Sequence, residues 1–237
     1  MAKKPETPRE VVVYYDEEQT QIKERKCLLG KKLHGEYTSY YANGQLMVRM
    51  NFREGRRHGE AESYYRDGKP RERAEFRDDH FEGDYSCWYE NGHIREKETY
   101  RAGRLDGPYW MYYRSGQVKE EEFFSDGRLH GPYRSYYKSG QLKEEGTFEN
   151  DKREGTYTAY HRNGQIREQA RYRNGKLIGK FRTFNEKGEE IRTVVDDGEN
   201  GESDEEWLEK ELQADNMLRS LETFREEDEQ TDRREKP

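Results

Sequence analysis

Residues 131–150 read GPYRSYYKSGQLKEEGTFEN. The first half is rich in aromatic residues, from Tyr133 to Tyr137, and reads as a strand. Lys138, Ser139 and Gly140 read as a turn, and residues 141–148 as a return strand. Residues 151–154 then lead into the next glycine. The stretch is therefore a β-hairpin, and it recurs. One glycine position repeats every 24 residues: Gly35, Gly59, Gly83, Gly107, Gly131, Gly155 and Gly179. A second keeps the same beat: Gly44, Gly68, Gly92, Gly116, Gly140, Gly164 and Gly188. Between them stands an aromatic: Tyr40, Tyr64, Trp88, Tyr112, Tyr136, Tyr160 and Phe184. A fixed short period means a chain built by stacking one unit.

The fold class that follows is all-β: a repetitive antiparallel hairpin meander forming an elongated, coiled single-layer sheet, because long sheets twist and curl. The residue before the second glycine runs Asn43, Asp67, Asn91, Ser115, Ser139, Asn163, Lys187. Serine and lysine suit a type I′ turn poorly, so a type I turn followed by a left-handed glycine and a G1 bulge is expected. Strand parity places Leu46, Ile94, Val118, Leu142 and Ile166 on one face with Phe52, Phe76, Tyr100, Phe124, Phe148 and Tyr172. An acidic column, Glu72, Glu96, Glu120, Glu144 and Glu168, lies between them. A basic column, Arg71, Arg95, Lys119, Lys143 and Arg167, lies on the opposite face. The charged columns read as solvated, salt-bridged surface.

The organisation expected is a disordered N-terminus over 1–10, an N-terminal capping half-repeat over 11–34 and seven repeats over 35–195. An acidic linker over 196–202, an amphipathic acidic helix over 203–229 and a disordered tail over 230–237 follow. Ser203 and Glu206 form a capping box before Trp207. Trp207, Ala214, Leu218 and Leu221 share one helical face, suited to covering the open last strand or binding a partner in a groove.

Charge divides along the same boundary. Of the net −7, residues 196–237 hold 17 acids and 6 bases, a net of −11, which leaves +4 on residues 1–195. A nearly balanced repeat region gives little basis for nucleic-acid binding. The chain is 40% charged and 30% hydrophobic, and its 19 tyrosines supply much of the apolar area. Tyrosine buries a ring while keeping its hydroxyl near water, which suits a thin sheet. Neither a membrane-spanning run nor a secretory signal is visible, so a cytoplasmic location is expected.

Catalytic and metal chemistry find little footing. His34, His58 and His130 share one repeat position, roughly 10 Å apart in neighbouring units, too far to share an ion. Cys27 and Cys87 have no zinc-type spacing. No catalytic residue, metal site or cofactor is expected, and the chain reads as non-enzymatic. The feature suited to binding is the aromatic column Tyr41, Tyr65, Tyr89, Tyr113 and Tyr137, because a single-layer sheet cannot bury both faces. With Trp207, Leu218 and Leu221 it forms the candidate partner-binding set. A protein partner is expected, with a lipid surface as the alternative and nucleic acid disfavoured.

The pattern G-x-Y-x-x-Y-Y-x-x-G-Q-[LIV], then Phe or Tyr, then [GD]-[RK]-L-[HD]-G, resembles the variant form of the membrane occupation and recognition nexus (MORN) repeat. The resemblance covers about residues 11–191. The hairpin is longer than in ordinary MORN repeats, and tyrosine stands where those often have a second glycine, which weakens any implied lipid binding. Proteins resembling the variant are often bacterial, and many are antitoxin-like or immunity proteins. The resemblance thus implies an interaction scaffold of that kind.

Overall fold

A computed structural model of the chain describes residues 6–196. The expected helix over 203–229, with Trp207, Leu218 and Leu221, lies outside the described residues.

The first six strands are β1 (Arg9–Tyr14), β2 (Ile22–Leu29), β3 (Lys32–Tyr40), β4 (Leu46–Arg53), β5 (Arg56–Tyr64) and β6 (Pro70–Arg77). β7 (His80–Phe81), β8 (Gly83–Trp88), β9 (Ile94–Arg101), β10 (Arg104–Leu105), β11 (Gly107–Tyr112), β12 (Val118–Ser125) and β13 (Arg128–Leu129) follow. β14 (Gly131–Tyr136), β15 (Leu142–Glu149), β16 (Lys152–Tyr160), β17 (Ile166–Arg173), β18 (Lys176–Leu177), β19 (Gly179–Phe184) and β20 (Glu190–Asp196) complete the sheet. All 20 belong to one antiparallel sheet, each paired with its neighbours in sequence. β7, β10, β13 and β18 are two-residue lead-ins, each one residue ahead of the strand it introduces. With each lead-in taken together with its strand, the described residues make 16 passes, or eight hairpins. β1 pairs only with β2 and β20 only with β19, so both ends are open among the described residues.

The hairpin tips have the turn that the glycine pattern predicts. The Gly140 N–H donates to the Tyr137 carbonyl at 2.8 Å, and the Tyr137 N–H to the Gln141 carbonyl at 2.8 Å. Gly140 sits at φ +85°. A type I turn closed by a left-handed glycine and a G1 bulge has this pattern. The turns between hairpins are tighter. Both central residues are left-handed, as at Asn150 (φ +52°) and Asp151 (φ +68°), which is the type I′ arrangement. The first of the two has no signature in residue type, because Glu54 and Ala102 also occupy it, at φ +54° and +50°.

A second irregularity overturns part of the face assignment. In β14–β15, Ser135 pairs with Glu144 but Tyr136 pairs with Leu142, leaving Lys143 extra. The same shift recurs in every hairpin from β3–β4 to β19–β20. Directly opposed residues share a face, so Leu142 stands with Tyr136, away from Glu144 and Phe148. Simple alternation fails because a bulge adds a residue to one strand only. The basic column is displaced too: Arg95 and Arg167 pair with their sequence neighbours Glu96 at 3.4 Å and Glu168 at 2.9 Å.

One face carries the rings. Tyr133 stacks edge-on against Phe148 with centroids 5.7 Å apart, and Tyr157 against Tyr172 at 6.3 Å. Toward the C-terminal end this face closes into an apolar cluster of Tyr157, Ala159, Ala170, Tyr172, Phe181 and Val194. A smaller cluster of Ala61, Ala74 and Phe76 lies nearer the N-terminus. Stability in such an array comes from contacts between neighbouring units. No helix among the described residues is long and apolar enough to cross a membrane.

Candidate interaction face

The aromatic column chosen from sequence lies along the rim of the hairpin tips. Each hydroxyl donates to a backbone carbonyl one repeat on: Tyr41 to Tyr64 at 2.7 Å, Tyr65 to Trp88 at 2.6 Å and Tyr89 to Tyr112 at 2.8 Å. Tyr113 reaches the Tyr136 carbonyl at 2.7 Å and Tyr137 the Tyr160 carbonyl at 2.6 Å. Where the column changes, His161 Nε2 takes the same place, 2.8 Å from the Phe184 carbonyl. All five tyrosines are half-buried. Their hydroxyls stitch successive tips together. The opposite rim is stitched by turn amides: Gly55 N–H donates to the Leu33 carbonyl at 2.7 Å and Gly175 N–H to Arg153 at 2.9 Å.

The acidic column is salt-bridged, as at Glu96 and Glu168, but only partly solvated. Glu144 is 2% exposed. Its carboxylate accepts the hydroxyls of Tyr157 at 2.8 Å, Ser135 at 3.0 Å and Tyr133 at 3.3 Å. Glu24 likewise accepts the Tyr37 hydroxyl at 3.1 Å, and Glu72 that of Ser63 at 3.2 Å. Buried carboxylates are tolerated when hydrogen bonds replace their water, and the flanking strands supply those donors.

The centre of the same face is different. The column beside Glu144 reads Met50, Ala74, Glu98, Glu122, Gly146, Ala170, Val194. Register confirms the equivalence, since Glu98 opposes Tyr85, Glu122 opposes Tyr109 and Gly146 opposes Tyr133. Two carboxylates thus replace small or apolar residues in adjacent units. Together with Glu96 and Glu120, which both oppose Met111, they surround the Tyr109–Met111 pair on β11. Among the described residues, Glu98, Glu120 and Glu122 make no ion pair. Tyr100 donates to Glu98.

Electrostatics follow from this crowding. Burial, with the Glu120 charge second, pushes the Glu122 carboxyl up to about 7. Burial also raises Glu98, against the pull of the Tyr100 hydrogen bond. Burial and then the glutamates around it raise the Tyr109 phenol. Burial and Glu96 raise the Cys87 thiol to about 11, so it remains a thiol at neutral pH. No disulfide forms, both cysteines being free. A residue reading could have found Glu98 and Glu122 as acids in a column otherwise small or apolar. The more regular acidic column two residues earlier, from Glu72 to Glu168, masks them.

The other face shows how this chain handles a buried carboxylate when it supplies cations. A row runs across it through directly opposed residues Arg25, Thr38, Arg49, Glu62, Arg73, Ser86, Lys97 and Trp110. Glu62 is 8% exposed and lies between Arg49 and Arg73, the latter at 2.8 Å. Burial alone would raise its carboxyl, but Tyr64, Arg49 and Arg73 hold it down to about 2. At the N-terminal end of the ring-bearing face, Glu24, Lys26, Leu28, Leu33, Tyr37 and Phe52 line an open hollow of about 530 Å³. Among the described residues, no group of His, Cys, Asp and Glu is arranged to hold a metal ion.

No match to the chain was found among curated proteins. The MORN repeat variant matches six successive units, residues 33–54, 57–78, 81–102, 105–126, 129–150 and 153–174. These are the hairpins from β3–β4 to β16–β17, with the same glycines and turns throughout. With more than half of its length covered by six in-phase units, the chain belongs to the MORN repeat variant family.

Proposed function

We propose that the chain is a non-enzymatic interaction scaffold whose central ring-bearing face binds a cationic segment of a protein partner. The observation that carries this reading is the pair Glu98 and Glu122, set among Tyr85, Tyr100 and Tyr109 with no ion pair of their own. A lysine or arginine entering there meets carboxylates at hydrogen-bonding reach and ring faces at cation–π reach. Its charge draws Glu122 into the ionised form, so affinity increases as pH rises toward 7 and above. The antitoxin-like version takes the partner to be a toxic protein held inactive by this contact. It is supported by the family resemblance.

The test is affinity capture from the chain's own cells, using the full chain and Glu98→Gln/Glu122→Gln. The parent recovers a protein whose contact, mapped by cross-linking, contains lysine or arginine, and the double variant loses it. Equal recovery by both would sink the reading. Co-expression of the recovered protein with and without the chain then reports on toxicity.

A second reading, attachment to anionic lipid, has its own observation. Arg25, Arg49, Arg73 and Lys97 form one row on the opposite face. Glu62 answers two of these bases and Glu10 a third, so the row is weakly charged. Sedimentation with phosphatidylserine vesicles at low and high salt tests it. No salt-sensitive binding removes it.

A further inference from the structure

The two ends of the sheet are finished differently. Of the four large hydrophobic residues that stand exposed among the described ones, Ile191 (64%) and Val195 (48%) lie on the last strand. Val195 directly opposes Lys180, and Thr193 opposes Arg182. Arg171, on the neighbouring β17, opposes Thr156 on the same outward face. The last strand therefore carries two exposed apolar side chains, Val195 set among these bases and Ile191 at the bulge where Thr183 opposes Arg192 and Phe184 opposes Glu190. Arg171, Arg173, Lys176, Lys180, Arg182 and Lys187 make no ion pair among the described residues.

This is where the repeat region keeps its positive charge. Residues 1–151 hold 27 bases and 29 acids, a net of −2. Residues 152–195 hold 11 bases and 5 acids, a net of +6. Residues 196–237 hold 6 and 17, a net of −11. The basic block thus ends where the acidic block begins, at the open edge of β20.

We propose that the chain's own segment 203–229 covers this edge, with Trp207, Leu218 and Leu221 over Ile191 and Val195 and its acids against Arg171, Lys180 and Arg182. Charge and apolar pattern match on both sides. The tether allows it: Trp207 follows Val195 by 12 residues, enough to span roughly 40 Å extended. Tethering also favours this occupant over a second copy, because a short linker holds the segment at an effective concentration of about millimolar. Covering β20 would shield the open backbone edge, which otherwise invites edge-to-edge association.

Zero-length carbodiimide coupling of the full chain, with products separated by size before peptide mapping, tests the proposal. In the monomer, carboxylates of 203–229 should couple to Lys176, Lys180 and Lys187 about fivefold more than to Lys23, Lys31 and Lys32, the ratio that about 1 kcal/mol of preference produces. High salt, Arg171→Glu/Arg182→Glu and Leu218→Asp/Leu221→Asp should each erase the preference. An even spread over all lysines overturns the proposal. Coupling confined to dimers overturns it in favour of a second copy. Glu98→Gln/Glu122→Gln should leave the pattern unchanged, so this result stands or falls apart from the central face.

Discussion

The hairpins at the centre and at the C-terminal end share one backbone and one set of turns, yet one is loaded with carboxylates and the other with hydrocarbon. Where β9 and β12 carry Glu98 and Glu122, β17 and β20 carry Ala170 and Val194. Ala159 and Ala170 are 0% and 4% exposed, and Tyr157, Phe181 and Val194 close over them. In the centre, rings of the same kind enclose acids whose ionisation burial opposes. In a repeat array each unit is held mainly by its neighbours, so the centre can depart from the best-packed sequence while the flanks keep it in register. The centre is thus where burial opposes ionisation, an opposition that the cationic partner proposed above would relieve.

The largest effect that would sharpen this contrast is removal of a ring from the apolar end. Tyr157→Ala takes away packing against Tyr172, the Arg153 stack at 4.4 Å and the hydroxyl that serves Glu144. Denaturant titration should show a loss of about 3–5 kcal/mol, and Tyr109→Ala in the centre should lose less. Equal losses would break the comparison.

Glu122 provides the next effect. A carboxyl raised in the folded state keeps its proton longer there than in the unfolded chain. Stability should therefore fall as pH rises from the ordinary carboxylate range through about 7. Glu122→Gln should flatten that slope and, discounted for partial exposure, add about 1–2 kcal/mol above neutrality. Melting curves across this range measure it, and an unchanged slope in the variant would assign the pH response elsewhere.

The smallest effect belongs to the rim. Tyr113→Phe removes one hydroxyl from the Tyr136 carbonyl and should cost about 1 kcal/mol by denaturant titration. Tyr137→Phe, which frees the Tyr160 carbonyl at the start of the C-terminal region, should match it, because the ladder is regular across both regions. A tyrosine that bound a partner without supporting the fold would show no such cost.

Much of this was legible in residues. The glycines at Gly35, Gly44 and their successors announced hairpins, and the serine and lysine before the second glycine selected the G1 turn. Faces were legible only up to the bulge, since Leu142 changes sides when Lys143 is left unopposed. The role of Tyr41 and its successors was hidden, because the acceptor is a main-chain carbonyl 23 residues on, which carries no side-chain signature. The same holds for Glu144, whose three hydroxyl donors come from strands on both sides.

By itself the sequence determined the period, the antiparallel meander and the tip turns, because these depend on local backbone preferences that each 24-residue unit repeats. Tertiary structure decided which acids are buried and satisfied, which remain crowded without cations, and where the tyrosine hydroxyls go. Those outcomes depend on what lies across the strand and one repeat away, a distance that local preference does not encode.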